Sequence, residues 1–187
     1  MTGGLHADAL AVLGRWKALS TEDEATRRRF LSLLAEGPGV LRREHAGAHL
    51  TSSALVVDAL GERVLLCLHG RVGRWMQLGG HCEEGDPTLA AAALREATEE
   101  SGITGLVVGT EPIGLDVHPV RCSAGDNLHF DVRFAVLAPA GATPTVSAES
   151  RALGWFAPGE LPSPLASATE PLVEPAVSWA RAQRPVR

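Results

Sequence analysis

Arg95-Glu96-Ala97-Thr98-Glu99-Glu100-Ser101-Gly102-Ile103 closes a segment that opens at Gly79-Gly80, and the order of its parts decides the fold. A strand candidate at 75–78 runs into the two glycines, a short polar loop follows, and a helix follows the loop. Asp86 suits the helix cap, Pro87 the first helical position and Gly102 the residue after the helix end. Ala90, Ala93, Leu94 and Ala97 recur at helical spacing and are expected to form the buried stripe, small enough for a sheet to come close. Glu96, Glu99 and Glu100 fall on a different face, with Cβ atoms within roughly 5–6 Å of one another. Three like charges repel there, and Arg95 is the one cation near them. A bland reading is an acidic helix end in water. The chemical reading is a set of oxygen donors for a hard divalent cation, which magnesium completes with water and substrate phosphate. The strand, glycines and cap around the cluster favour the chemical reading.

On both sides of this segment the chain reads as one domain with an appended element. Apolar residues at 5–19 (Leu5, Ala9, Val12, Leu13, Trp16, Leu19) keep helical spacing. Ser20 caps a second helix that opens with Glu22, Asp23 and Glu24 and stops at Gly37-Pro38-Gly39. These predict an N-terminal helical hairpin. Strand candidates follow at 53–58 and 63–68, joined by a turn, and then at 106–109, 115–120, 128–137 and 153–156. The segment 128–137 alternates, with Leu128, Phe130, Val132, Phe134 and Val136 on one face and His129, Asp131, Arg133 and Ala135 on the other. Residues 120–127 read as a loop and 171–182 as a final helix that docks Trp179.

Composition excludes several function classes. A net charge of -5 argues against a nucleic-acid polymer as partner, because phosphate tracking needs excess Lys and Arg. Cys67, Cys82 and Cys122 are odd in number and form no C-x-x-C pair, so they are expected to be reduced thiols of a cytoplasmic protein. No apolar run approaches the ~18 residues that would span a bilayer, and the first residues lack the basic flank of a signal peptide, so no membrane association is expected.

The segment 80–103 resembles the Nudix box: a glycine (Gly80), a loop acid (Asp86), then Arg-Glu-aliphatic-x-Glu-Glu-x-Gly-aliphatic from Arg95 to Ile103. It departs from that pattern in three ways: the acid is Asp rather than Glu, one extra residue separates it from Arg95, and Ala97 replaces a bulkier aliphatic. The resemblance implies an α/β (α+β) Nudix fold, a mixed β-sheet sandwiched between helices. Residues 1–48 would be a helical extension packed on a Nudix hydrolase domain at 49–187. The implied activity is hydrolysis of a diphosphate bond in a nucleoside diphosphate derivative or related small molecule, with Mg2+ or Mn2+ as cofactor. Glu96, Glu99, Glu100 and the Gly79 carbonyl would be metal ligands, and Arg95 would orient Glu99. Glu96 or Glu149 would act as general base. Asp86 would either perform the stabilising role usual in the family or serve only as a helix cap.

His81, Asp116, His118, His129, Asp131, Arg133 and Glu149 are candidates for substrate contact, the alternative for the sheet residues being a solvent-facing polar surface. Cys82 lacks neighbours in sequence that would activate a thiolate, and Trp75 reads as core. The helical hairpin is a candidate dimer contact. Two other readings stand beside the hydrolase: a nucleotide-binding sensor without hydrolysis, which the intact acidic set disfavours, and an isoprenoid diphosphate isomerase, for which no dedicated cysteine and glutamate pattern is present.

Overall fold

The alternation along 128–137 sets the layers of the molecule. The computed structural model describes residues 3–122, 125–147 and 150–184. Strand β1 (Ala48–Val57) and strand β7 (Gly125–Leu137) run parallel, paired from Ala48↔Leu128 to Val57↔Leu137. Successive strand residues point to opposite faces. Even-numbered Leu50, Ala54, Val56, Phe130, Val132, Phe134 and Val136 therefore enter one core cluster, while odd-numbered Leu55, Val57 and Ala135 enter another.

The remaining strands extend this pair. β2 (Val64–His69) is antiparallel to β1 and to β8 (Ser150–Phe156), with β3 (Trp75–Met76) also paired to β2. β4 (Leu78–His81) pairs with β1, while β5 (Val107–Val108) and β6 (Gly114–Cys122) pair with β7. The even face is covered by α1 (Gly3–Arg15), α2 (Thr21–Leu34) and α3 (Leu89–Ser101), and the odd face by α4 (Glu170–Ala182). This is the expected mixed sheet between helices. Trp179 of α4 packs against the odd-face core, and Trp75 does so edge-on to Phe156, with ring centroids 5.0 Å apart.

The N-terminal helices form as expected, with Ser20 accepting from the Asp23 N–H at the start of α2. Leu5, Ala9 and Leu13 of α1 and Phe30, Leu33 and Leu34 of α2 join the same core cluster as the sheet, and Phe30 meets Phe130 edge-on. Helix α1 stops at Arg15, which leaves Leu19 90% exposed instead of on its apolar face. Trp16 turns away to donate its indole N–H to the Pro112 carbonyl.

Two further expectations change. Where a loop was expected over 120–127, residues 120–122 and 125–127 pair between β6 and β7 as far as Cys122↔Gly125, while residues 123 and 124 lie outside the described residues. On α3 the buried residues are Leu89, Ala92, Ala93, Ala97, Glu100 and Ser101, with Ala90 and Leu94 only partly covered. The helix is rotated so that a glutamate shares its buried face. Among the described residues no helix is long and apolar enough to cross a membrane.

Candidate active site

Gly79 and Gly80 are required by what packs on either side of β4. Gly79 lies opposite Ser53 with φ +152°, where a Cβ would overlap both the side chain and the backbone of Ser53. Its N–H donates to Glu100 Oε2 at 3.0 Å, and Glu100 is 6% exposed. Gly80 lies opposite Ser52, and a Cβ there would meet the Glu96 carboxylate at 2.8 Å. Both carboxylates thus reach from α3 to the same short strand. Gly80→Ala should displace Glu96 while α3 and the sheet stay intact. We expect turnover to fall by about 10- to 100-fold with unchanged far-UV dichroism, the magnitude typical of a disturbed supporting contact. Undiminished turnover would show that the position of Glu96 is not critical.

Arg95 gathers the acids. Its Nε and Nη2 hold the two oxygens of Asp86, each at 3.0 Å, while Nη1 reaches Glu96 at 2.9 Å and Glu99 at 3.1 Å. Nη2 also donates to the His81 carbonyl at 2.9 Å. The bonds from Asp86, then from Glu96, outweigh desolvation and hold the guanidinium more firmly charged than usual. The Asp86 side chain is 5% exposed and also accepts from the Glu83 N–H, so Asp86 is not the helix cap. Thr88 takes that place, accepting from the Ala91 N–H. The reason is competition: the Asp86 carboxylate is committed to the Arg95 fork, which leaves the next oxygen-bearing side chain to cap. The extra residue in the loop does not prevent the fork from closing. A second anchor at the start of α3 comes from α1, where Asp8 Oδ2 accepts the Leu89 N–H at 2.8 Å.

The odd-numbered sheet face carries the other candidates. Asp131 and Arg133 are buried rather than solvent-facing and bond to each other, with Arg133 Nε to Asp131 Oδ2 at 2.8 Å. Arg133 also reaches Asp116 and the Ala168 carbonyl, and Asp131 accepts from Ser53 and Thr51. Asp116 bonds His118 Nδ1 at 2.7 Å; burial pushes its carboxyl up, but the His118 bond and the Arg133 charge together hold it below the usual carboxylate range. His81, His118 and His129 come together with His49, a residue missed in the sequence because only the parallel register places it beside His129. Burial lowers the pKa values of His49 to about 4 and His129 to about 3, each with further help from neighbouring imidazoles, and burial lowers that of His81 as well.

Glu99 is the most exposed of the three helix acids, its side chain 60% accessible. Glu149 lies outside the described residues. The thiols of Cys67 and Cys82 are both pushed up to about 12 by burial, which leaves them protonated and poor nucleophiles at neutral pH.

Two helix carboxylates thus reach a glycine strand, and an arginine ties one of them to a loop acid. The NUDIX domain model matches residues 47–175, and the chain belongs to the NUDIX family, with the fold of a Nudix hydrolase. A NUDIX-family hydrolase from Clostridium perfringens is similar at TM-score 0.56 and 22% identity, over 73% of this chain and 98% of that one. The NUDIX domain of Shewanella oneidensis NrtR, solved with ADP ribose, gives TM-score 0.54 at 20% identity, over 72% and 89%. A C. elegans Ap4A hydrolase gives TM-score 0.52 at 16% identity, over 71% and 98%. At these identities the likeness is one of fold. No curated protein matches the chain.

Proposed function

We propose that this protein is a divalent-metal-dependent hydrolase that cleaves a diphosphate bond in a nucleoside diphosphate derivative or related small molecule, acting in the cytoplasm. The observation that carries the reading is the approach of Glu96 and Glu100 to Gly80 and Gly79, with Glu100 nearly buried. Nearly burying an acid beside two others is unfavourable unless a cation enters. The donors are all oxygens, and the side chain missing at Gly80 leaves room for the Glu96 carboxylate at the strand, which fits a hard divalent ion. Glu96, Glu99, Glu100 and the Gly79 carbonyl would hold Mg2+ or Mn2+. When bound, such ions lower the pKa of a water and offset charge on the leaving phosphate.

The chain's own residues would do the rest. Arg95 keeps Glu96 and Glu99 oriented through charge-assisted bonds and ties them to Asp86. Glu96 or Glu149 would take the proton from the attacking water. His81, Asp116, His118, His129, Asp131 and Arg133 form the polar sheet face toward substrate. Of these, Asp116 and His118 have accessible side chains, at 26% and 42%, while Arg133, itself held by Asp131, bonds Asp116. Residues 1–48 would serve as a helical extension of the 49–187 domain, bracing α3 through Asp8.

The test is a magnesium-dependent release assay over nucleoside triphosphates, dinucleoside polyphosphates, ADP-ribose, nucleotide sugars and coenzyme A. Turnover on at least one, lost with chelator and restored by Mg2+ or Mn2+, is the expected result. Tight binding of such ligands without release would move the assignment to a sensor.

A further inference from the structure

His49, His81 and His129 stand on β1, β4 and β7 with their rings on the odd-numbered sheet face. His49 and His129 are direct partners across the parallel strands, and His81 lies opposite Thr51, the next residue of β1 on that face. Their ring centroids are 5.0, 4.7 and 5.1 Å apart, and one nitrogen from each ring lies within 4.8 Å of the others. His49 is fully buried, and neither of its ring nitrogens has a hydrogen-bond partner; the His45 backbone comes near it only at poorer geometry. His81 Nε2 is also buried and unpartnered. Buried polar atoms are normally satisfied, so unpartnered nitrogens on two rings of this cluster call for a ligand.

We propose that His49, His81 and His129 form a three-histidine site for a late first-row transition ion of the zinc class, separate from the carboxylates of α3. Imidazole nitrogens are borderline donors that suit Zn2+, Ni2+, Co2+ and Cu2+ and not the hard ions expected at the glutamates. Around a tetrahedral zinc with bonds of about 2.0–2.1 Å, neighbouring nitrogens sit about 3.4 Å apart. The strand register places the three residues side by side, and the separation seen here would close by side-chain rotation on binding. Asp131 is committed to Ser53, Thr51 and Arg133, and His118 to Asp116, so neither of these neighbours is counted among the donors. His81 and His129 are partly exposed, so a fourth position opens outward for water or a ligand group. Gly80 turns to α3 and His81 to the opposite side of β4, so this site and Glu96 lie on different sides of that short strand. The His81 carbonyl nevertheless bonds Arg95, which ties the trio to the acid clamp.

The test uses the full chain, stripped with a chelator and titrated at neutral pH with Zn2+ alone against a chromophoric competitor, and in parallel with Co2+ for its absorption spectrum. We expect one tight zinc ion per chain that survives in Glu100→Gln, beside a weaker one at the α3 carboxylates, a raised thermal midpoint with zinc, and four-coordinate cobalt bands without sulfur-to-metal charge transfer, the last excluding Cys82. His49→Gln, His81→Gln and His129→Gln should each weaken zinc binding by at least about 100-fold, more than an outer-shell change would. His118→Gln and Glu100→Gln should retain it. If His49→Gln fails to fold, the wild-type cobalt spectrum and the less buried His81 variant decide. Absence of zinc binding by the wild type, binding that survives His81→Gln and His129→Gln, or binding lost in Glu100→Gln would each overturn the assignment. The readout is metal bound and not turnover, so it stands apart from the outcome for the hydrolase reading.

Discussion

Glu100→Gln is expected to abolish metal-dependent turnover while leaving the fold intact, a loss on the order of 10³-fold or more, or about 4 kcal/mol in the barrier. The substitution is nearly isosteric, and the amide oxygen can still accept the Gly79 N–H that Glu100 Oε2 now accepts at 3.0 Å. What disappears is the charge, and a carboxylate only 6% exposed has little solvent to replace it as a cation donor. Stability should hold or rise, because removing one of three neighbouring acids relieves repulsion in the metal-free protein. Initial rates across a magnesium titration, beside a urea unfolding curve, separate the two effects. Turnover near wild type at saturating metal would sink the assignment of Glu100.

Arg95→Ala should act on stability and turnover together. The side chain is 21% exposed and holds Asp86, Glu96, Glu99 and the His81 carbonyl at once. Its loss strands Asp86, whose side chain is 5% exposed, and breaking a buried pair from one side costs about 3–5 kcal/mol; partial solvent access at Arg95 places the expected loss near 3. Arg95→Lys keeps the charge without the fork that meets both Asp86 oxygens, and should recover only part of the loss. Adding Asp86→Asn to Arg95→Ala removes the stranded charge, so the double variant should be more stable than Arg95→Ala alone. Urea midpoints of the wild type, Arg95→Ala, Arg95→Lys, Asp86→Asn and the double variant check this. A double variant less stable than either parent would mean that Asp86 is held by something other than Arg95.

The helix end from Arg95 to Gly102 was legible because its information is local. The spacing of Glu96, Glu99 and Glu100, the terminal glycine and the i, i+4 relation of Arg95 to Glu99 follow from helical geometry wherever the helix packs. The alternation at 128–137 likewise announced a two-faced strand. The start of α3 was misread for an equally physical reason: Asp86 and Thr88 are both good caps, and the choice between them depends on whether Arg95 claims the aspartate across the loop. The loop expected over 120–127 gave way, at 120–122 and 125–127, to pairing between β6 and β7, a partner the local sequence does not announce.

By itself, then, the chain determined the family, the layered fold and the acidic set on one helix, since each is written in short-range periodicity and spacing. Only the tertiary structure decided which face of α3 is buried, that Asp86 closes onto Arg95, that the polar face of β7 is an interior ion-pair network, and that His49 joins His81 and His129. The first two depend on how α3 packs and on a bond across the loop; the last two depend on register between strands distant in the chain, and a shift of a single residue would turn those side chains to the other face of the sheet.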